Sequence, residues 1–484
     1  HLHWALAGYP RTRKVLLLCA SLFFYGFWSW KFALMLLGSA LVNHAAALRM
    51  QGLDAEDEKT ERTRRRLLGW IVAFNLCLLG FFKYTGFIFA DTIFPILRQI
   101  CIAIGPNAVT WLVHMQEAVF PLIDHVVLPV GISFFTFQAL SYVVDVYRRQ
   151  IAPGRSWIDF ANYLAFFPQL VAGPIVRARD LLPQMEIMPD RQTPIDTGRA
   201  MFLIMGGLFK KTVVANWLAA RLADPVFEWP EIYSGPDILI AVYGYAFQIY
   251  CDFSAYSDIA IGTALLLGFH FPINFNAPYF STTLQDFWRR WHISLSSWLR
   301  DYLYIPLGGS RRGNARTYAN LFTTFLLGGL WHGAAWTFIL WGAFHGLYLS
   351  LERMVRGWFG IPPKGAKPAS WPVALLGRIW IFHVVCFSWI LFRGGNVDTV
   401  GAILKGIALW RNAVPAVTLW SGLSVLMLVV GFSVQFLDGN RMWRIWRNVS
   451  IWPAWALGLA AALVITIILA LGPEGVAPFI YFQF

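Results

Sequence analysis

The sequence predicts an all-α polytopic membrane protein, and three observations lead to that prediction. Hydrophobic residues make up 57% of the chain and charged residues only 13%, whereas a soluble globular chain carries about 25% charged residues. Apolar runs continue from one end of the 484 residues to the other. Aromatic residues form 17% of the chain, which is typical of the interfacial belts of membrane proteins. The bilayer is therefore the expected solvent of this chain.

Each predicted helix corresponds to one apolar run. Several runs are too short or too polar to span cleanly, so we predict about ten to twelve crossings, some of them broken or re-entrant. No internal repeat divides the chain, and we predict one membrane-embedded domain over residues 1–484. In chain order, the predicted membrane helices are 14–30, 31–48, 67–90, 93–104, 118–143, 157–173, 200–220, 237–268, 317–331, 333–350, 373–393, 415–437 and 452–471.

Three connections are rich in Lys and Arg, at residues 49–66, 308–316 and 441–447. Cytoplasmic loops carry an excess of basic residues, so we predict that all three face the cytoplasm. Residues 361–372 are predicted to be a Pro-rich connector. The net charge of +13 indicates contact with anionic membrane lipid and an anionic substrate, since the chain has no soluble basic module for nucleic acid. None of the five cysteines has CxxC spacing, so we predict no metal site and no disulfide framework.

Residues 281–304 are predicted to form one amphipathic helix, because their apolar residues recur on a single helical stripe. His292 projects to the edge of the stripe, and Arg289 and Arg290 fall outside it. Two interpretations stay open. The segment is either an interfacial helix with a snorkelling basic face, or a helix inside the protein whose arginines meet an anionic substrate. The stripe consists of Leu284, Phe287, Trp288, Trp291, Leu295, Trp298, Leu299 and Tyr302.

His332 lies in a long apolar run, where an ionisable residue is costly and usually faces an interior cavity. On a continuous helix, Gly328 and Gly329 would leave a hollow beside the imidazole, and Trp336 would wall the same face. A small polar hollow that holds one imidazole is typical of an active site, and imidazole is suited to proton transfer near neutral pH. The alternative is a buried histidine that hydrogen-bonds to a backbone carbonyl or a hydroxyl.

Four other ionisable residues interrupt apolar runs. His345 and His383 lack comparable surroundings, and for them we favour a structural role. Asp252 and Asp258 fit an ion or proton relay, but we favour a structural role, paired with Arg or capping broken helices. Serine-hydrolase, P-loop and HExxH motifs are missing from the sequence, so those enzyme classes lose support.

Five segments resemble the signature segments of the membrane-bound O-acyltransferase family, in the family's usual order. The most specific are FWRRWHISLSSWLRDYLYIPLGGSRRG at 287–313 and GGLWHGAAWTFILWGAFHG at 328–346. The combination is similar to the bacterial polysaccharide branch, which includes the membrane subunit of alginate O-acetyltransferase. The other three are LPVGISFFTFQALSYVVDVYR at 128–148, FFPQLVAGPIVR at 166–177 and YCDFSAYSDIAIG at 250–262.

The resemblance implies a helical bundle around a buried tunnel that links the cytoplasm to the far side. It places the family's catalytic histidine on His332 and a second conserved position on His292. Family members move an acyl group from a thioester to a hydroxyl, so acetyl-CoA is the expected donor and a carrier-protein thioester the alternative. No cofactor is expected to stay bound. As substrate-binding candidates we take Arg289, Arg290, Arg311, Arg312, Trp288, Trp331, Trp336, Asp252 and Asp258.

The resemblance also predicts a direction of transfer. We expect acetyl groups to cross the bacterial cytoplasmic (inner) membrane toward an extracytoplasmic polysaccharide, or toward a periplasmic acetyltransferase partner, as in alginate biosynthesis. Relatives carry one more hydrophobic helix at the start, so an upstream helix is expected. A polysaccharide or lipid transporter is the alternative function, although transporters often show repeated broken helices. A non-catalytic scaffold is a third, and it would not need the hollow beside His332.

Overall fold

The structure is a computed structural model that describes residues 2–53, 57–124, 126–190, 192–360, 370–411, 419–436, 439–472 and 479. All regular elements in these ranges are helical, which confirms the predicted all-α class. The residues divide into two compact units, which are described in turn. The prediction of one domain stays a prediction. Most of the predicted connector at 361–372 lies outside the described residues, which resume at residue 370.

The first unit contains residues up to 171, together with 175–192 and 333–335. Its longest helix kinks at Ser29, where φ is −160° and ψ is 113°, next to the predicted boundary between 14–30 and 31–48. The helices of this unit are α1 Leu2–Ala5, α2 Pro10–Gly52, α3 Glu58–Ile88, α4 Phe94–Ile104, α5 Pro106–Asp124, α6 Ile132–Tyr147, α7 Trp157–Ala165, α8 Phe167–Leu170 and α9 Ala178–Ile187.

The second unit contains residues 172–174, 193–332 and 336–484. Its helix α13 is buried along most of its length, and π-helical turns at Lys210–Ala215 and Ala219–Ala223 continue α10. The helices are α10 Thr197–Phe209, α11 Asn216–Leu218, α12 Asp224–Glu228, α13 Gly235–Leu266, α14 Leu284–Arg290, α15 Ile293–Leu299, α16 Gly313–His332, α17 Trp336–Trp358, α18 Trp371–Arg393, α19 Val397–Ala408, α20 Gly422–Ser433, α21 Gly439–Val449 and α22 Ala454–Leu471.

Six helices in the described part of the chain are long and apolar enough to cross a membrane. They are consistent with a multi-pass membrane protein, and the predicted total of crossings stays a prediction because it also counts shorter and broken helices. The six helices are Pro10–Gly52, Glu58–Ile104, Thr197–Glu228, Gly235–Leu266, Trp371–Arg393 and Ala454–Leu471.

Several stretches were assigned wrongly from the sequence. Of the predicted loop at 49–66, residues 49–52 belong to α2 and residues 58–66 belong to α3. The predicted helix over 118–143 is two helices, because the chain leaves α5 at Asp124 and enters α6 only at Ile132. Gly131 has φ of +75° there, and a Cβ on it would lie 2.3 Å from the carbonyl oxygen of Leu170, so only glycine fits this turn. The predicted loop at 441–447 lies within helix α21.

The predicted amphipathic helix over 281–304 is also wrong. It is divided into α14, α15 and a π-helical turn at Arg300–Tyr304. The division falls at His292, whose φ of 42° and ψ of 56° lie in the left-handed region. A left-handed non-glycine residue ends an α-helix, because it turns the chain away from the helix axis. The sequence placed His292 at a stripe edge, whereas it occupies a turn between two short helices.

Helices α16 and α17 pack tightly against each other where glycines of the two helices meet. A Cβ on Gly329 would lie 2.2 Å from the carbonyl oxygen of Phe338 and 3.1 Å from Cα of Gly342. Small residues let helix backbones approach closely, and this is common in membrane helix pairs. The contact fixes the end of α16, and therefore fixes the position of His332, which is the last residue of that helix.

Candidate active site

His332 is enclosed by aromatic rings. Its imidazole centroid lies 5.0 Å from Trp331, 5.0 Å from Trp341 and 5.2 Å from Phe392, and all three contacts are edge-to-face. The residue is 6% exposed. Edge-to-face contacts restrain an imidazole without consuming its nitrogens. The ring is therefore held in place by packing against three aromatic side chains.

The predicted hollow beside His332 has a different origin in the structure. Helix α16 ends at His332, so Trp336 does not lie one turn further along the same face; it begins α17 and is 49% exposed. The space beside Gly329 is filled by the backbone of α17 rather than being open. The prediction from Gly328, Gly329 and Trp336 was wrong because it assumed a continuous helix. The aromatic rings, not the glycines, surround the imidazole.

His292 is fully buried in the turn between α14 and α15. Its ring stands edge-on to Phe253 at 4.6 Å, and its Nδ1 lies 3.2 Å from Oδ1 of Asn274. Nε2 has no hydrogen-bond partner among the described residues. A left-handed non-glycine residue costs about 1–2 kcal/mol, so the surrounding hydrogen bonds must hold this turn in place.

Asn274 supplies several of those hydrogen bonds. Its backbone carbonyl accepts from the amide of Ile293 at 2.9 Å, and its side-chain Oδ1 accepts from the amide of Ser294 at 3.1 Å and from Ser294 Oγ at 2.9 Å. Its Nδ2 donates to Ser257 Oγ at 3.1 Å. Asn274 therefore satisfies two amides at the beginning of α15 that have no partner within the helix.

Trp331 connects the two histidines. Its indole centroid lies 5.0 Å from the ring of His332 and 6.2 Å from the ring of His292. The two imidazoles, 40 positions apart in the sequence, are thus neighbours of a single buried side chain. The structure brings together three sequence-predicted site residues: His292, Trp331 and His332.

His345 is a third buried histidine next to this cluster. Its Nδ1 accepts a hydrogen bond from the indole Nε1 of Trp288 at 3.3 Å, and its ring lies 4.6 Å from Trp341. Trp288, a predicted substrate-binding residue, therefore also has a structural partner. The contact supports the structural role favoured for His345. The Nε2 of His345 is buried without a hydrogen-bond partner among the described residues. His383, in contrast, has partners for both ring nitrogens, Tyr243 and the carbonyl oxygen of Ile379.

Asp252 and Asp258 form ion pairs with consecutive lysines. Lys211 Nζ lies 2.5 Å from Asp252, and Lys210 Nζ lies 2.6 Å from Asp258 and donates to Ser254 Oγ at 2.8 Å. The pairing favoured from the sequence is present, but the partners are lysines rather than arginines. The π-helical turn at Lys210–Ala215 places both lysines along α13, and burial makes each charge dependent on its partner.

A cavity of about 860 Å³ opens beside the aromatic cluster. Trp288 lines it, and the Trp288 ring contacts Trp341 at 5.7 Å, which in turn contacts His332. The lining carries four arginines and one acid, Glu352, which accepts from the Leu284 amide at 2.7 Å. The four arginines are Arg289, Arg300, Arg353 and Arg356. The lining therefore has an excess of positive charge close to the candidate catalytic histidine.

Of the four arginines predicted to hold the donor, only Arg289 lines this cavity. Arg290 pairs with Asp286 at 2.9 Å. Arg311 and Arg312 are exposed in the turn before α16 and are not among its lining residues. Arg289 forms no ion pair within the described part of the chain, so it is the predicted arginine with a free charge facing the cavity.

The sequence reasoning missed Arg353, Arg356 and Asn274. The two arginines lie on the last turns of α17, beyond the apolar run, and were assigned no role. Their positions one and four residues after Glu352 are a detectable signal of a basic helix end. Asn274 sits in an irregular stretch between α13 and α14. Its role depends on contacts with residues about 20 positions later, which no local pattern reveals.

A second cavity of about 110 Å³ borders the Asn274 network. Asn274 and Ser257 line it, together with the Lys210–Asp258 ion pair. Its remaining lining is largely aromatic and aliphatic. The polar face of this cavity therefore adjoins the residues that hold His292.

The chain matches one family model and several known proteins. A family model described as the membrane-bound O-acyltransferase family matches residues 22–392. A probable alginate O-acetylase from Pseudomonas putida is 36% identical over 497 residues, which covers 98% of this chain and 95% of that protein. A peptidoglycan O-acetyltransferase from Helicobacter pylori is 35% identical over 83% of this chain and 75% of its own length. A teichoic acid D-alanyltransferase from Streptococcus thermophilus is 30% identical over 54% of this chain and 68% of its own length.

Proposed function

Because the chain belongs to the membrane-bound O-acyltransferase family, we propose that it transfers an acetyl group from a cytoplasmic thioester to a hydroxyl on the far side of the bacterial cytoplasmic membrane. The observation that carries the proposal is the buried imidazole of His332 inside a cluster of aromatic rings. These rings keep bulk water from the reaction centre, which protects a thioester from hydrolysis. The acceptor is a polysaccharide or a periplasmic acetyltransferase partner, in line with the alginate and peptidoglycan named for the relatives.

His332 acts as the general base and then as the general acid. A hydroxyl is a weak nucleophile while protonated, so His332 takes its proton as the oxygen attacks the thioester carbonyl carbon. The carbon–sulfur bond then breaks, and His332 donates that proton to the departing thiolate. The products are an acetyl ester and a free thiol, and the imidazole is neutral again. Holding donor and acceptor beside one fixed ring lowers the entropic part of the barrier.

The donor occupies the cavity of about 860 Å³. A CoA donor carries several phosphate charges, and Arg289, Arg353 and Arg356 in the lining suit phosphate because guanidinium donates paired hydrogen bonds. Trp288 separates this cavity from the rings around His332 by one aromatic layer. Acetyl-CoA is the proposed donor, and an acyl carrier protein with a phosphopantetheine arm is the alternative.

A transfer assay tests this function against the transporter alternative. Purified protein is incubated with acetyl-CoA labelled in the acetyl group and with a bacterial polysaccharide, and label bound covalently to the polysaccharide is measured. We expect labelled product that depends on His332. A transporter would instead move unmodified polysaccharide across vesicle membranes and leave acetyl-CoA intact, which would contradict the proposal.

Donor binding is tested by comparing two double substitutions. We predict that Arg353→Gln with Arg356→Gln raises the KM for acetyl-CoA about tenfold or more, the effect of losing one charge-assisted hydrogen bond. The value of kcat should change little, because a phosphate contact is made equally in ground and transition states. Arg311→Gln with Arg312→Gln is the matched control, since those arginines do not line the cavity.

One outcome would contradict the proposed donor site. If the Arg311 and Arg312 pair raises the donor KM while the Arg353 and Arg356 pair does not, the donor enters along the turn before α16 instead. The effect of either pair should weaken at higher ionic strength if the contacts face solvent.

A further inference from the structure

Asn274 has an orientation that hydrogen bonding determines uniquely. The backbone amide of Ser294 can only donate, so the Asn274 atom that lies 3.1 Å from it must be the carbonyl oxygen Oδ1. The Nδ2 group is then directed to Ser257 Oγ at 3.1 Å. A flipped amide would place two donors against each other at the Ser294 amide. The oxygen of Asn274 is therefore the atom that faces His292.

This orientation determines where the proton of His292 lies. Nδ1 of His292 is 3.2 Å from Oδ1 of Asn274, which can only accept. Ser294 Oγ lies 3.4 Å from the same nitrogen, but its one hydrogen is donated to Asn274 Oδ1 at 2.9 Å. Both neighbours therefore favour a hydrogen on Nδ1. In a neutral imidazole the other nitrogen is then an unprotonated acceptor. That nitrogen, Nε2, is buried and has no hydrogen-bond partner in the described part of the chain.

We propose that Asn274 is a positioning residue that holds His292 in the Nδ1–H tautomer, so that Nε2 presents a lone pair to the reacting hydroxyl. The consequence for mechanism rests on the proposed function. A lone pair repels an oxyanion but accepts a hydrogen bond from a hydroxyl. His292 therefore orients the acceptor hydroxyl for its attack, while His332 takes the proton, and the oxyanion is stabilised elsewhere.

The same network explains why a histidine tolerates the left-handed turn. Asn274 binds the first two amides of α15 through its backbone carbonyl and its side chain, and the amide of Asn276 donates to the carbonyl of Arg290 at 2.9 Å. The residues on both sides of His292 are thus tied to one segment. The contacts that hold the turn are also the contacts that select the tautomer.

The tautomer is measured directly by NMR on the full-length protein labelled with ¹⁵N-histidine. Protonated and unprotonated ring nitrogens have well-separated shifts, and their couplings to the ring protons distinguish Nδ1 from Nε2. The His292 signals are those lost in His292→Gln. We expect the Nδ1–H form in the parent and in Asn274→Asp, which keeps an acceptor oxygen. In Asn274→Leu we expect the tautomer ratio to move about tenfold toward Nε2–H, the equivalent of one lost hydrogen bond.

Asn320→Leu is the matched control. Asn320 is also buried in this unit, and its Nδ2 donates to the carbonyl of Gly309 at 2.9 Å, away from His292. It should cost stability without changing the His292 tautomer. An Nε2–H form in the parent, or an unchanged tautomer in folded Asn274→Leu, would overturn the assignment. The tautomer and the stability are both measured without enzyme activity. A wrong tautomer assignment can therefore be told apart from a wrong proposed function.

Kinetics then test the consequence. Asn274→Leu should lower kcat at least tenfold with little change in the KM for acetyl-CoA, and Asn274→Asp should restore much of the rate. If the tautomer shifts as expected but kcat stays at the parent value, His292 does not orient the acceptor and the proposed role is wrong.

Discussion

The two histidines of the candidate site are held by different forces. His332 is enclosed by the rings of Trp331, Trp341 and Phe392 and sits at the end of a helix. His292 is held by hydrogen bonds from a distant segment, in a strained turn. Aromatic packing restrains a ring without selecting its tautomer, whereas a hydrogen bond to one nitrogen fixes the state of the other. The first arrangement suits a proton shuttle and the second suits a fixed acceptor.

At the residue scale, we predict that His332→Ala abolishes acetyl transfer without unfolding the protein. The substitution removes the base, and general acid–base catalysis contributes about 10²–10⁴-fold to rate. The small loss of aromatic contact should lower the melting temperature only modestly. Transfer rate and thermal melting are measured on one preparation. Near-normal transfer by well-folded protein would remove His332 from the mechanism.

His345→Phe separates a structural histidine from a catalytic one. Phenylalanine fills a similar volume but leaves the Trp288 Nε1 hydrogen without its acceptor, which costs about 1–3 kcal/mol for a buried donor. We expect a lower melting temperature and a transfer rate within a few fold of the parent when assayed below it. A rate that falls as far as in His332→Ala, with melting unchanged, would assign His345 to the chemistry.

At the scale of elements, α16 packs against α17 through three glycines, Gly329, Gly342 and Gly346, which leave no room for a Cβ. We predict that Gly329→Ala destabilises the protein by about 1–3 kcal/mol, because the new Cβ would meet the backbone of α17 and the helices must separate. Gly328→Ala is the matched control, since its Cβ would meet only Leu299 Cδ1, at an ordinary 3.4 Å. Both are compared by thermal melting, and equal melting temperatures would show that the contact is loose.

The sequence predicted the long helices well but not the breaks between them. Helix α13 lies within two residues of its predicted limits, 237–268, because a long apolar run is a local property. The break at Gly131 had a local signal that was overlooked, a glycine shortly after Pro129. The break at His292 had none. It contains neither Gly nor Pro, and it is stabilised by Asn274, which lies 18 positions earlier.

The same distinction applies to the candidate site. Motif resemblance assigned both His292 and His332 to the site, and in the structure both contact Trp331. The predicted hollow beside Gly328 and Gly329 was wrong. The helical-wheel projection assumed that Trp336 continues the helix of His332, but α16 ends at His332. Arg353 and Arg356 were missed because a cavity is formed by three-dimensional packing of α14, α16 and α17. Residue types are known from the sequence, but the position and shape of a cavity between helices are not.

At the scale of the whole molecule, basic residues are concentrated at the ends of the apolar helices. The chain has 39 Lys and Arg against 26 Asp and Glu, and several of the acids are committed to partners, such as Asp252 and Asp258. Arg289 in the large cavity and Arg311 and Arg312 in the turn before α16 form no ion pair within the described residues. Positive charge that is not neutralised inside the protein is available for lipid headgroups and for an anionic donor.

The sidedness of the membrane is the prediction on which donor access depends. We predict that residues 49–66, 308–316 and 441–447 face the cytoplasm, because basic segments are retained on that side. The third segment and most of the first are helical rather than loops, but the rule counts basic residues near the membrane and not their conformation. If the turn at 308–316 is cytoplasmic, the large cavity beside the adjoining α16 opens to the compartment that contains acetyl-CoA.

Cysteine labelling in intact cells tests this sidedness. The five native cysteines are replaced first, and single cysteines are introduced at exposed positions as Lys59→Cys, Ser310→Cys and Asn448→Cys. A thiol reagent that cannot cross the inner membrane should label none of them in intact cells and all of them after lysis, which controls for reactivity. Labelling of Ser310→Cys from outside would invert the orientation. The arginine-lined cavity would then face the acceptor compartment, and a cytoplasmic thioester would have to reach His332 from the opposite end.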